Sequence, residues 1–177
     1  MTQKLLEYFK RGGVHVVDQR TSLPTNPGVE WGWRHQSDAT LIVVHHTGGW
    51  PQATATGLAL YHISRGWPGI AYTFYIRTDG TMDFCHRLRE WGPHAAPTNK
   101  YSFGISLAGN YVRERPPRVM VAALVRAINA LSLWYLGNDW GKPKVQPHNA
   151  FARTACPGLV WQAYLEHCEC LDARAVR

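Results

Sequence analysis

Apolar positions follow two periods along this chain, and the switches between them mark its elements. Leu5, Leu6 and Phe9 lie among Lys4, Glu7, Lys10 and Arg11, the pattern of a short amphipathic opening helix. Residues 13–38 hold VHVVDQ and then the Gly- and Pro-rich SLPTNPGVEWGW, which reads as an irregular segment wrapping the surface. The run TLIVVHH is β-branched and apolar on both faces, as a strand in the middle of a doubly covered sheet should be. A helix is predicted over 53–65 and a turn at GWPG. A hairpin follows over AYTFYIRTDGTMDF with Asp79-Gly80 at its tip.

SFGISLAGN reads as another buried strand, reached through a loop that contains His94. From about Val119 to Leu136, Val121, Leu124, Val125, Ile128 and Leu131 share one helical face. Pro116 and Pro117 stand before that segment and Gly137 after it. A short strand around Lys144 to Gln146 leads into the loop HNAFARTACPG, and Leu159 to Leu171 closes the chain as a helix. Strands and helices interleave throughout. The economical architecture is one α/β domain with a central mixed β-sheet flanked by helices, in which 1–34 wraps a main body of 35–177.

Composition narrows the class. The 177 residues carry 45% hydrophobic side chains, enough to bury a core without disulfide staples. Lys+Arg 19 against Asp+Glu 12 gives a formal charge of +7, which favours a polyanionic partner but does not choose among nucleic acid, membrane surface and cell wall. No Arg/Lys-rich helix or RNA-reading aromatic motif accompanies that charge, so a nucleic-acid partner is not expected. Cys85, Cys156, Cys168 and Cys170 are too few and too unevenly placed for a disulfide framework, and free thiols or a metal ligand are expected instead. The opening residues lack the apolar run of a secretory signal, and no stretch of about 18 apolar residues suggests a membrane span. A monomer made in the cytoplasm is the expectation.

Candidate chemistry gathers at strand ends: His45 and His46 close the buried strand, His148 follows the last one, and Cys156 lies eight residues further on. Two imidazoles and a thiolate, with a fourth position left to water, form the pattern of a catalytic zinc site. Each member also has an ordinary reading, as a hydrogen-bonded structural histidine or a small buried thiol. His148 and Cys156 could alternatively be the base and nucleophile of a cysteine hydrolase, although no helix starts at the thiol to lower its pKa.

LIVVHHTGG, AYTFYIRTDGTM, WGPHAAPTNKYSFGISLAGNY and HNAFARTACPGL occur in the order and spacing of one known family. Through them the chain resembles the type 2 N-acetylmuramoyl-L-alanine amidases, which include amidase-type phage lysozymes and peptidoglycan recognition proteins. The likeness spans about residues 35 to 165 and makes 35–177 the catalytic domain. It implies one zinc ion per chain on His45, His148 and Cys156, with His46 pointing to the other side of the strand. It places Tyr72 near the attacking water and His94 along the substrate cleft. Ser106 stands where some members carry a glutamate base, and Thr154 stands where the phage lysozymes carry a lysine. A hydroxyl therefore replaces a cation at the oxyanion, with Arg153 next to it.

The implied substrate is bacterial peptidoglycan, cut between the lactyl group of N-acetylmuramic acid and L-alanine. A groove edged by Trp67, Trp91, His94, Asn99 and Arg153 would hold it by stacking and hydrogen bonds. The implied setting is a phage lysis enzyme, held in the cytoplasm until it is released onto the wall. Cytoplasmic recycling of wall fragments is the other setting, and a binding module that has lost catalysis is the other class.

Overall fold

A computed structural model of the chain describes residues 2–175. Helix α1 (Thr2–Arg11) turns Leu5 and Phe9 inward, one helical turn apart. It ends where Gly13, at φ +70°, lets the Val14 N–H return to the Phe9 carbonyl. Six strands make one sheet: β1 (Val16–Asp18), β3 (Leu41–His46), β4 (Phe74–Ile76), β5 (Met82–Phe84), β7 (Ser102–Leu107) and β8 (Lys144–Pro147). Their spatial order is β1-β5-β4-β7-β3-β8, and only the β4–β5 hairpin is antiparallel. The hairpin tip is the expected one, for Gly80 takes φ +85° and Asp79 Oδ1 accepts the Thr81 N–H at 2.8 Å.

The segment 13–38 is more ordered than its composition predicts. Val16–Asp18 joins the sheet as an edge strand beside β5, and β2 (Gly32–Trp33) pairs with β6 (Glu90–Trp91) in a separate ribbon. Strands of two or three residues leave no period to read, and pairing partners decide them. The TLIVVHH strand lies between β7 and β8, one position in from the sheet edge.

Register divides the two faces of the sheet. Ile42 and Val44 of β3, Phe103, Ile105 and Leu107 of β7, and Phe74 and Ile76 of β4 point into the main core. That side carries α3 (Arg118–Leu136), with α1 and α4 (Leu159–Ala175) packed on it. Phe9 meets Phe74 edge-on at 5.5 Å, and Phe103 meets Tyr135 at 6.1 Å. By length and composition α3 could cross a membrane, but 67% of its apolar window is buried inside the fold, which makes it a core helix.

The opposite face is built differently. Leu41 and Val43 form a small cluster with Ala95 and Phe151, and His45 continues their row. Beside them β7 presents Ser102, Gly104 and Ser106, while Tyr75 of β4 donates its hydroxyl to the Ala53 carbonyl just ahead of α2 (Ala55–Ser64). The architecture is the expected α/β domain, a mixed six-stranded sheet with four helices. Its apolar face makes the core and its face of small and polar residues makes the site.

Candidate metal centre

His45 is the penultimate residue of β3, on the small-residue face, and is 1% exposed, whereas His46 turns the other way, its Nδ1 accepting the Tyr111 N–H at 3.0 Å. Pro147 closes β8, after which a single 3₁₀ turn, His148–Ala150, brings His148 beside His45 with ring centroids 4.4 Å apart. Cys156 arrives on a loop docked against Tyr111. Gly158 has φ +61°, and a Cβ there would fall 2.2 Å from the Tyr111 carbonyl oxygen, so only glycine lets the loop approach. The Leu159 N–H donates to that same carbonyl at 2.8 Å.

One ligand atom from each of His45, His148 and Cys156 lies within 4.8 Å of the other two. The Nε2 of His45 is taken by His94, which leaves Nδ1 turned to Cys156 Sγ at 3.7 Å. Nδ1 of His148 is buried and has no hydrogen-bond partner, as a nitrogen reserved for an ion would be. Two neutral imidazoles and one sulfur at this spacing suit zinc. Burial also pushes the Cys156 thiol up to about 11, against a partial offset from the His46 N–H. An unassisted thiol of that kind is protonated at neutral pH, which disfavours the cysteine-nucleophile alternative.

The flanking residues sort themselves by hydrogen bonding. Tyr72 precedes β4 and sits 5.2 Å from His45 and 5.7 Å from His62, ring to ring. Burial, and then the neighbouring Cys156 sulfur, raises its phenol pKa, so it stays protonated and acts as a donor. Thr154 Oγ accepts the Cys156 N–H at 3.2 Å, and its own proton remains available. Arg153 is exposed in the same loop.

His94 is buried, its ring between His45 and Ser102, and Asn99 Oδ1 accepts the N–H groups of His94 and Ala95 at 3.0 and 2.6 Å. Trp67 leans on His62 at 4.9 Å, and Trp91 covers Gly32 in the β2–β6 ribbon. Two features of the site were not read from sequence, the Ser102-Gly104-Ser106 row and the His62 ring behind Tyr72. Trp50 is 82% exposed in the loop that leaves His46. The alternation of small and apolar residues in SFGISL was the available signal for the first of these.

Burial is the largest cause lowering three histidines. His62 and His86 fall to about 4 and His94 to about 3, against an ordinary value of 6.5. Between those values and 6.5 the unfolded chain binds more protons than the folded one, so stability is complete above pH 6.5 and declines as pH falls through that window. The urea midpoint of metal-free protein is expected to be level from pH 8 to 7 and to drop between pH 6.5 and 5, before most carboxylates titrate. A midpoint constant down to pH 5 would contradict this.

Known proteins are similar to this chain in sequence and in fold. Residues 35–159 match the family model described as N-acetylmuramoyl-L-alanine amidase. The peptidoglycan-recognition protein SC1a/b of Drosophila simulans is 30% identical over 166 residues, covering 84% of this chain and 83% of the relative. Among solved structures, the N-acetylmuramoyl-L-alanine amidase LysC from Clostridium intestinale superposes with a TM-score of 0.62 at 31% identity, over 81% of this chain and 88% of that one. The bumblebee peptidoglycan recognition protein SA reaches 0.68 at 22% identity, over 82% and 89% of the two chains, and that likeness speaks for the fold alone.

Proposed function

Because the chain belongs to the N-acetylmuramoyl-L-alanine amidase family, we propose that it is a zinc-dependent hydrolase of peptidoglycan that releases stem peptides by cutting the lactyl amide before L-alanine. The observation that carries this reading is the convergence of His45, His148 and Cys156 within 4.8 Å. A recognition module needs no such donor set, and retention of all three candidate ligands favours the enzyme. A zinc ion held there supplies Lewis acidity and a water acidic enough to be nucleophilic near neutral pH.

The chain's own groups divide the remaining work. Thr154 offers a hydroxyl proton to the oxygen that gains charge on the attacked carbonyl, with its lone pair already fixed by the Cys156 N–H. Tyr72, neutral at working pH, orients the attacking water and donates toward the departing amine. No carboxylate occupies the Ser106 position, so proton movement falls to Tyr72 and solvent. Trp67, Trp91, His94, Asn99 and Arg153 were the sequence's candidates for substrate contact. Of these Arg153 stands exposed in the loop that carries Cys156, and Trp50, in the loop that leaves His46, offers an exposed stacking surface. Basic surface charge holds the enzyme near anionic wall polymers. A phage lysis enzyme is the biological setting this reading favours.

Digestion of purified muropeptides followed by mass spectrometry tests the assignment. The expected products are stem peptides with a free N-terminal alanine and intact glycan. New reducing sugar ends without free alanine amines would mean a glycosidase and discard the proposal.

A further inference from the structure

We propose that His94 is a positioning residue that fixes the tautomer of His45, presenting a bare Nδ1 toward His148 and Cys156. This rests on the reading of His45 as a metal ligand, but the tautomer follows from hydrogen-bond directions alone. The argument starts at the far end of the chain of bonds. Ser102 Oγ lies 2.7 Å from the Thr98 carbonyl, which can only accept, so the single Ser102 hydroxyl proton is committed there. The Thr98 hydroxyl is likewise committed, to the Ala95 carbonyl at 2.7 Å. Ser102 Oγ must therefore accept from His94 Nε2, 3.1 Å away. With Nε2 carrying the proton, the neutral His94 ring has its lone pair on Nδ1, where it accepts from His45 Nε2–H at 3.0 Å. The proton of His45 is thus held on the nitrogen remote from Cys156, and Nδ1 is left unprotonated.

The surroundings are built for this ring. A Cβ on Gly104 would come within 2.9 Å of His94 Cγ and 3.0 Å of Nδ1, so glycine is what lets the imidazole lie against β7. Asn99 Oδ1 gathers the N–H groups of His94 and Ala95, and Arg34 Nη1 donates to the Ser102 carbonyl at 2.7 Å. His94 is 8% exposed and Ser102 1%, a poor placement for groups whose work is to touch a polymer. Metal-binding histidines characteristically donate their second N–H to an oriented acceptor, and loss of that acceptor weakens metal binding about 10–100-fold. Here the acceptor is a second imidazole, itself oriented by a serine.

Two measurements test the proposal. In metal-free wild type at pH 8, long-range ¹H–¹⁵N correlation should show both His45 and His94 as Nε2–H tautomers. Zinc affinity, by competition with a chromophoric chelator, should fall about 10–100-fold in His94→Ala. It should recover largely in His94→Asn, whose Oδ1 replaces the lost acceptor, and fall less in Ser102→Ala, which frees the His94 tautomer without removing its ring. His45 found as the Nδ1–H tautomer in wild type, or unchanged zinc affinity in His94→Ala, overturns the proposal. A wild-type chain that takes up no zinc overturns the metal reading instead, while the tautomer measured without metal still decides this one.

Discussion

Cys156→Ala is expected to reduce stem-peptide release by roughly a thousandfold or more, because metal polarisation supplies several kcal/mol to such a reaction and each 1.36 kcal/mol is about tenfold in rate. Bound zinc should fall from near stoichiometric to a small fraction in the same variant, and His148→Ala should match it. Neither residue holds the fold together. Cys156 is half-buried, with its sulfur 3.3 Å from the His46 N–H as its nearest backbone partner, and His148 sits in a one-turn loop with an unpartnered Nδ1. Melting of the metal-free variants should therefore stay close to that of metal-free wild type. Chelation separates the two chemistries that Cys156 could serve. A zinc hydrolase loses activity to a chelator and regains it with added zinc, whereas a cysteine nucleophile, already disfavoured by a thiol pKa near 11, would survive chelation. Cleavage that persists in Cys156→Ala would end the metal reading.

How far the sequence could be read depended on whether each feature was local. TLIVVHH and the segment from Val119 to Leu136 declare their types within one window of residues, and both became the expected elements. His45, His148 and Cys156 were legible as one chemical set because soft or borderline donors at strand ends are scarce, and the fold brings them together. His94 was a different matter. Its neighbours in sequence say nothing about Ser102 or His45, and its ring finds them only because the 92–101 loop folds back over Gly104. Asn99 looked like a groove residue for the same reason, since its side-chain oxygen is used by the backbone of that loop. The two faces of β3 could not be told apart from a run that is buried throughout. They separate only through register with Ser102, Gly104 and Ser106.

Arg34 was the least legible residue of all, since arginine is almost never fully buried, and its replacement is expected to have the largest effect on stability. Its side chain is 2% exposed and has no carboxylate within ion-pair distance among the described residues. Instead it fastens backbone. Nε donates to the Leu88 carbonyl at 3.2 Å, and Nη1 reaches the carbonyls of Asn99, Lys100 and Ser102 at 3.1, 3.3 and 2.7 Å, while the guanidinium lies 4.6 Å above the Phe103 ring. Burial lowers its pKa to about 10, which still leaves the charge intact at neutral pH. Arg34→Met fills much of the volume but removes the charged donor from the buried Leu88 and Ser102 carbonyls and from the partly buried carbonyls of Asn99 and Lys100. Hydrogen bonds to a charged donor are worth about 1.5–3 kcal/mol each, and breaking such a network belongs to the large-effect class, so a loss of at least about 3 kcal/mol is expected. At about 2–4 °C per kcal/mol for a chain of this size, Tm should fall by roughly 6–12 °C. Arg34→Lys keeps the charge but not the planar fork, and should fall between. Because the turn that Arg34 holds also carries Ser102, the loosened variants should weaken zinc binding as well as stability. A Tm for Arg34→Met within a degree or two of wild type would show that the turn is held by other bonds.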